Sequence, residues 1–347
     1  MKGKKKLAMI IAAVMIMTAF TGCGGGDSGG GGGVEENGYD PIQVIVAHTD
    51  TSQRSVHVWS EWLGEWLEEQ APGRFIVDVF PDGQLGDSPD IYSGILLGTV
   101  QMGFEMSTVL ATQAGSEAAS VVDLPYLYPS IDDWITGMLY NGGLELYNEA
   151  LNAAGYHCVD LYYNGMRQVI SRNGIYRNSE DLRGQKIRIP QNELNIMMWQ
   201  AMGANPTPMS WGEVVTSLAL GTIDALDHAL GVFNDFNLHE IAPYITLTNH
   251  SSSPFPIIVS LAWLQSLPPD MRALFEEGVR LAAAQQRDEE RGLEAGYLDR
   301  FEAAGVEIYE LTPAEVAAFQ ESVIPVYDEW RSRVGDGLID AWLATRP

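Results

Sequence analysis

The residues best suited to bind a small molecule are a few arginines in a chain that is otherwise strongly acidic. The formal net charge is −26, and residues 75–166 and 189–271 contain no Lys or Arg. Between these stretches, residues 167–188 hold Arg167, Arg172, Arg177, Arg183, Lys186 and Arg188. An acidic protein that captures an anion needs a local, partly buried guanidinium, because this planar cation pairs with both oxygens of a carboxylate. These arginines are therefore the candidates for an anion site.

Arg167 and Arg188 differ from the rest of this group because the sequence places both at strand ends. Arg188 lies in the alternating stretch 186–189, which a proline terminates. Arg167 follows the aromatic run 161–165, which ends in a glycine. Side chains at strand ends stand on a rigid base and can point into a cleft. The other four cations surround turn-like sequences, and we expect them to be solvated loop charges.

Other kinds of site have weaker support in the sequence. The histidines lack metal-ligand spacing, and the motifs of zinc peptidases, phosphate loops and nucleophile elbows are missing, so no metal and no cofactor is predicted. Asp224, Asp227 and His228 keep an enzyme open as a less favoured alternative. Nucleic acid is not expected as a partner of so acidic a chain.

The N-terminus predicts export from the cytoplasm. Four lysines precede an uncharged apolar stretch, 7–20, and small residues then lead to Cys23. This layout is typical of a signal peptide over residues 1–22, with Cys23 lipidated as the first mature residue; plain secretion with an unmodified cysteine is the alternative. Residues 23–40 would form the lipidated cysteine and a glycine-rich tether. The expected location is extracytoplasmic, lipid-anchored to the cell membrane or periplasmic.

The remaining chain alternates between strand and helix patterns. Strand patterns include 42–47, 75–80, 100–106 and 156–163, and helical patterns include 55–69, 131–154 and 269–303. Such alternation predicts an α/β fold with helices flanking parallel sheets. About 310 residues follow the signal and tether, more than one core comfortably holds, so two lobes are expected. Cys158 is the only cysteine of this region, which excludes an internal disulfide there.

Several motifs in combination resemble the DctP family, the extracytoplasmic solute receptors of tripartite ATP-independent periplasmic (TRAP) transporters. The motifs are FPDGQLG at 80–86, GTVQMG at 98–103, DLPY at 123–126, GMRQ at 165–168, DLRGQKIRIP at 181–190, GANPTPM at 203–209, WGEV at 211–214 and GTIDA at 221–225. The resemblance implies a two-lobed periplasmic-binding-protein-like fold, each lobe a mixed sheet flanked by helices, with a long interlobe helix and a hinge. Lobe I would be 42–164 plus about 254–293, and lobe II 165–253 plus about 294–347.

The resemblance also implies roles for particular residues. Arg188 matches the arginine that makes a bidentate salt bridge to the ligand carboxylate, and Arg167 matches a second contact. Trp211 stands where an aromatic residue packs against the ligand. His228 replaces an asparagine that touches the ligand in many members, and Met106 stands where a polar residue is usual.

His48, in the loop after the first strand, is a further candidate for the rim of the site, with loop capping as its alternative role. The implied function is a TRAP receptor that binds a small organic acid and delivers it to small and large membrane subunits. Dicarboxylates, keto acids, aromatic acids and sugar acids all remain open as ligands. A binding protein of an ATP-driven importer and a ligand-sensing surface protein are the alternatives.

Overall fold

Two mixed β-sheets, flanked by helices, organise the chain. The computed structural model of the protein describes residues 40–347. Its strands are β1 Ile42–Ala47, β2 Phe75–Phe80, β3 Met102–Phe104, β4 Tyr156–Met166, β5 Gln168–Ser171, β6 Lys186–Ile189, β7 Asn205–Pro208, β8 Ala225–His228, β9 Tyr244–Leu247, β10 Ser252–Ser260 and β11 Glu307–Glu310. The first sheet has the order β2-β1-β3-β10-β4, and the second β11-β9-β5-β8-β6-β7.

Helices fill the connections between most strands. The α-helices are α1 Ser55–Gln70, α2 Ser88–Leu97, α3 Ser107–Ala114, α4 Ile131–Ile135, α5 Gly143–Asn152, α6 Ser179–Leu182, α7 Glu193–Ala201, α8 Val214–Leu220, α9 Leu230–Asp235, α10 Leu261–Ser266, α11 Pro269–Ala303, α12 Pro313–Ser322, α13 Ile324–Val334 and α14 Asp336–Ala344. Short 3₁₀ turns occupy Ala118–Asp123, Trp211–Glu213 and Leu238–Glu240.

The prediction of mixed sheets is confirmed, whereas the narrower expectation of parallel sheets is wrong. Strand β10 runs antiparallel to β3 and β4, and β5 runs antiparallel to β8 and β9. Both strands enter their sheet directly from the other sheet, β5 after residue 167 and β10 after residues 248–251. They do not follow a helical crossover within their own sheet, which is the connection that makes neighbouring strands parallel.

The two sheets are joined by two crossings that lie side by side and by one long helix. Arg167 alone separates β4 from β5, and its backbone N–H donates to the carbonyl of Ser251 in the β9–β10 crossing at 2.8 Å. Helix α11 has 35 residues. Its early residues, such as Phe275, pack into the core of the first sheet, and Phe301 near its end packs into the core of the second. The expected long helix between the lobes is therefore present.

The continuous helix predicted for residues 131–154 is wrong. The segment divides into α4, a π-helical turn at Thr136–Tyr140 and α5. Gly142 has φ 91°, in the left-handed region that favours glycine, so the helix cannot continue through it. A Cβ on the next residue, Gly143, would lie 2.8 Å from the carbonyl oxygen of Gly137. Gly142 and Gly143 therefore allow the helix to break, although the apolar periodicity continues through them.

The C-terminal helices do not belong simply to one sheet. Helix α13 contacts α7 of the second sheet, and α14 contacts the turn Ala118–Asp123 beside the first. The division into 42–164 plus 254–293 and 165–253 plus 294–347 stays a prediction. The predicted signal peptide, Cys23 and glycine-rich tether lie outside the described residues. Within 40–347, no helix combines the length and apolar character needed to cross a bilayer.

Two glycines of α11 offer a matched test of how this helix packs. A Cβ on Gly278 would lie 2.7 Å from Leu63 Cδ1 and 2.8 Å from the Trp66 ring, whereas a Cβ on Gly292 meets nothing within 4 Å. We expect Gly292→Ala to stabilise the protein by about 0.5–1 kcal/mol through helix propensity. Gly278→Ala should lose this gain to overpacking, which costs about 1–3 kcal/mol. Urea unfolding of both variants is the measurement, and equal stabilisation of the two would contradict the α1–α11 contact.

Candidate functional site

A cavity of about 240 Å³ lies where the carboxyl ends of strands from both sheets meet. On the side of the first sheet, most of the lining residues come after β1 and β3. On the side of the second sheet, they lie at the ends of β6, β7 and β8 or shortly after them. The principal side chains are Thr49, Asp50, Ser88, Glu105, Met106, Val109, Arg188, Met209, Trp211, His228, Val232 and Phe255. Ligands of α/β proteins bind at the carboxyl ends of strands, where the connecting loops diverge and leave a crevice. This cavity is the candidate ligand site.

Arg188 provides a buried cation in the wall of this cavity. Its side chain lies at the end of β6, and its Nε and Nη2 donate to the carbonyl of Met209 at 3.2 and 2.8 Å. The third nitrogen, Nη1, is buried and has no hydrogen-bond partner among residues 40–347. Burial, followed by the nearby charge of Arg167, lowers the pKa of Arg188 to about 10. A ligand carboxylate would satisfy the remaining donor and offset this charge.

His228 and Trp211 stand beside Arg188 in the same wall. His228 Nδ1 accepts a hydrogen bond from the backbone N–H of Ala229 at 2.9 Å. Burial, together with the charges of Arg167 and Arg188, holds the pKa of His228 well below its usual range, so the ring is neutral. With Nδ1 acting as the acceptor, Nε2 carries the proton and is a donor. The Trp211 ring lies edge-on to this imidazole at 5.2 Å and under the Arg188 guanidinium at 5.4 Å.

Arg167 lies behind the cavity and does not line it. Its Nε donates to Asp227 Oδ2 at 2.6 Å, and its Nη2 donates to the Asp227 carbonyl at 2.6 Å. His250 Nε2 lies 3.0 Å from the same carboxylate oxygen. Burial alone would raise the pKa of Asp227, but Arg167 and His250 outweigh it and lower this pKa. The Nη1 of Arg167 lies 3.7 Å from the sulfur of Met106, which lines the cavity.

The other predicted residues are divided between the cavity and the core. Met106 lines the cavity, as do Arg188, Trp211 and His228. His48 is fully buried and is not part of the rim. Its ring stacks on Phe104 at 4.8 Å, and its Nε2 lies 3.0 Å from His57 Nδ1. Direct ligand contact by any of these residues stays a prediction.

Sequence reasoning missed an acidic group in the opposite wall. Glu105 accepts hydrogen bonds from the Thr49 backbone N–H at 2.6 Å, the Thr49 hydroxyl at 2.9 Å and the Ser88 hydroxyl at 2.8 Å. Burial, followed by the charge of Asp50, raises the pKa of Glu105 to about 8. The sequence did contain a signal, because Glu105 comes directly after the short apolar strand β3. The neighbouring Met106 was predicted as a site residue, and Glu105 was not.

A second missed feature is a buried ion network centred on Arg54. Its guanidinium lies 3.8 Å from Asp50, 3.2 Å from Asp235 of α9 and 3.6 Å from Glu290 of α11. It also donates to Asn164 near the end of β4. Three carboxylates share one cation here, and burial, only partly offset by Arg54, raises the pKa of Asp50 to about 6. Asp50 therefore belongs both to this network and to the cavity wall.

The site defined by this geometry is a binding cleft between two sheets. Within residues 40–347, no group of three or more His, Cys, Asp or Glu residues is arranged to hold a metal ion. The walls offer a guanidinium donor, a neutral imidazole donor, an aromatic face and buried carboxyl groups. These groups are suited to the recognition of a small polar molecule.

Comparison with known proteins identifies the class. The family model for bacterial extracellular solute-binding protein, family 7 (DctP), matches residues 46–333. A solute-binding protein of Roseobacter denitrificans is 30% identical over 286 residues, which is 79% of this chain and 82% of the relative. The C4-dicarboxylate-binding periplasmic protein DctP of Vibrio cholerae is 24% identical over 98% of both chains.

Solved structures agree with the sequence relatives. A TRAP periplasmic solute-binding protein from Ralstonia eutropha H16, solved with bound (S)-2-acetolactate, has a TM-score of 0.81 at 25% identity, covering 87% of this chain and 98% of that one. One from Roseobacter denitrificans, solved with bound β-D-glucuronate, has a TM-score of 0.83 at 24% identity, covering 88% and 100%.

The chain belongs to the DctP family of bacterial extracellular solute-binding proteins. The resemblance read from the motifs and the two-lobed α/β fold that it implied are thereby confirmed. The family and the matched relatives are solute-binding proteins of transport systems.

Asp123, beneath α3, allows a test of the buried carboxyl groups that does not depend on a ligand. Its Oδ1 accepts from the Ser107 hydroxyl, and burial raises its pKa from 3.8 to about 7. Between these values the folded protein holds a proton that the unfolded chain has released, so stability falls as pH rises through this window. Asp123→Asn mimics the protonated carboxyl and removes the titration.

We therefore expect the free energy of unfolding of Asp123→Asn, relative to wild type, to increase from about pH 4 to pH 7 and then to level off. Denaturant unfolding across this range is the measurement. Asp299→Asn, on the exposed part of α11, is the control and should follow the wild-type pH profile. A pH-independent difference between Asp123→Asn and wild type would show that Asp123 is ionised in the folded protein throughout.

Proposed function

We propose that the cavity binds a small organic acid through a salt bridge between the ligand carboxylate and Arg188, and that the chain delivers this acid to the small and large membrane subunits of a TRAP transporter. The observation that carries the proposal is the buried Arg188 Nη1, a charged donor at the cavity with no hydrogen-bond partner in the described part of the chain. Family membership supports the transporter class.

The relatives indicate the general chemistry of the ligand. The matched structures hold β-D-glucuronate, succinate and (S)-2-acetolactate, all of which carry a carboxylate. Burying a carboxylate is costly unless its charge and lone pairs are matched. The Arg188 guanidinium supplies a charge-assisted hydrogen bond worth about 1.5–3 kcal/mol. His228 Nε2 and Trp211 stand beside it as a donor and a packing face.

Closure around the ligand follows from the position of the cavity. One wall belongs to the first sheet and the other to the second, and the connections between them are the two crossings and α11. A ligand that contacts both walls stabilises the closed arrangement through contacts that the open arrangement lacks. The membrane subunits then distinguish a loaded receptor from an empty one by its shape.

Replacement of Arg188 tests the carboxylate contact. We expect Arg188→Ala and Arg188→Lys to weaken binding of the best acid among succinate, glucuronate, galacturonate and acetolactate by about 10- to 100-fold, since the planar fork is lost. The free energy of unfolding should change much less, because the fold gains little from a buried cation with an unsatisfied donor.

Calorimetric titration and urea unfolding are the two measurements. Arg183→Lys is the matched control, because Arg183 is exposed and pairs with Glu180, which is also exposed. Affinity that is unchanged in Arg188→Ala would refute the proposed contact.

We also propose that Cys23 is lipidated after removal of residues 1–22 and that it tethers the receptor to the membrane. The support is the sequence of positive charge, apolar stretch and small residues before Cys23. Cys23→Ala should move the protein from the membrane fraction to the soluble fraction in an expressing bacterium, as followed by fractionation and immunoblot. Cys158→Ala, which alters a buried cysteine, is the control and should stay with the membranes. Equal membrane retention of both variants would rule out the lipid anchor.

A further inference from the structure

The charges that line the cavity are strongly unequal in sign. Asp50, Asp87 and Glu105 contribute carboxyl groups from the side of the first sheet, whereas Arg188 is the only Lys or Arg in the lining formed by the described residues. His228, the remaining titratable cation of the lining, is neutral. We call Asp50, Asp87 and Glu105 the acidic wall. A ligand whose only charged group is a carboxylate would pair with Arg188 but would bring its negative charge close to this wall. Arg54, which contacts Asp50 from behind the cavity, leaves this side with more carboxyl groups than cations, and a cationic group on the ligand would offset the excess.

The lining as a whole is more apolar than polar, which favours a ligand with few hydroxyl groups. Much of it is apolar, formed by Met106, Val109, Met209, Trp211, Val232 and Phe255. Glu105 already accepts three hydrogen bonds from Thr49 and Ser88. Glu105 therefore has little capacity left for ligand hydroxyls, and the polar side chains Thr112, Gln113, Gln191 and Ser210 of the lining are uncharged. This combination favours one cationic group on a compact, largely apolar body.

We propose that the ligand is a compact zwitterion whose carboxylate binds Arg188 and whose cationic nitrogen faces Asp50 and Glu105. The inference rests on the proposed function, since it keeps Arg188 as the carboxylate contact, and it adds the chemical class of the ligand. The unpartnered Arg188 Nη1 marks the end that receives the carboxylate. The acidic wall marks the other end.

The protonation of the acidic wall makes the proposal testable by pH. The groups that face Glu105 are Asp50, Thr49, Ser88 and Tyr92, and those that face Asp50 are Arg54, Asp82, Asp235, Glu290 and Glu105. Burial raises the pKa of Asp50 to about 6 and that of Glu105 to about 8. The wall therefore gains negative charge as pH rises from about 6 to 8. Carboxylate and alkylammonium groups of a ligand do not titrate in this interval.

Matched ligands separate the possible classes. The first series is pentanoate, ω-hydroxypentanoate and ω-aminopentanoate, and the second is isovalerate, α-hydroxyisovalerate and valine, with glucuronate as the polyhydroxy acid. Calorimetric titration at pH 6 and pH 8 is the measurement. We expect an amino acid to bind at least tenfold more tightly than its unsubstituted and hydroxylated partners, with affinity that rises with pH. The unsubstituted acids should bind more weakly as pH rises.

Substitutions in the acidic wall test whether its carboxyl groups cause the preference for an amino acid. Asp50→Asn should weaken binding of the amino acid at least tenfold and strengthen binding of the unsubstituted acid, a change of opposite sign that a merely structural defect would not produce. Glu105→Gln provides a second test of the same wall, and Asp299→Asn is the control that should alter neither ligand.

The outcomes distinguish this inference from the proposed function. If hydroxylated, unsubstituted or polyhydroxy acids bind as tightly as the amino acids and still need Arg188, the zwitterion is excluded and the receptor function stands. If no acid of any class binds, both proposals fail. Tightest binding by an amino acid, reversed by Asp50→Asn, supports both.

Discussion

The proposed ligand contact depends on a buried guanidinium whose hydrogen-bond donors the fold does not fully satisfy. Arg188 stands at the end of a buried strand, and a single backbone carbonyl, that of Met209, takes two of its N–H groups. A buried charge with an open donor is costly and needs an explanation, which the proposed ligand carboxylate would provide. The neighbouring Arg167 has a different environment, because the Asp227 carboxylate offsets its charge within the fold. One arginine of the pair thus holds the crossing between the sheets, and the other faces the cavity.

The opposite wall of the cavity is connected to buried charges elsewhere in the molecule. Asp50 lines the cavity and also contacts Arg54, whose guanidinium reaches α9 of the second sheet and the long helix α11. A change of charge at Asp50 is therefore applied directly to the cation that ties these elements together. The cavity and the connections between the sheets are linked by a contiguous set of buried charges. Under the proposed closure, this continuity places the ligand site next to the elements that would move.

Short-range patterns accounted for much of the fold and for part of the site. The strands at 42–47 and 75–80 and the helix at 269–303 have the predicted bounds or nearly so, because each is a long, uninterrupted periodic stretch. The continuous helix predicted for residues 131–154 was wrong, because the apolar periodicity continues through Gly142 and does not show that the helix breaks there. Arg188 and Trp211 were found because their positions follow from a strand end and from motifs that resemble those of a known family.

What the sequence by itself determined is the class of protein, because its motifs indicated the DctP family that the family model then matched. Its acidity and the arginines at strand ends led to the hypothesis of a carboxylate ligand. Only the tertiary structure decided how the charges are shared. Asp227 pairs with Arg167, which lies 60 residues earlier in the chain. Arg54 contacts Asp50 four residues away, Asp235 at a separation of 181 residues, and Glu290 farther along still. Burial and the distance between charges set whether a group binds a ligand or stabilises the fold, and neither quantity is written in local sequence. For that reason the acidic wall became visible only when strands β1 and β3 were placed beside each other.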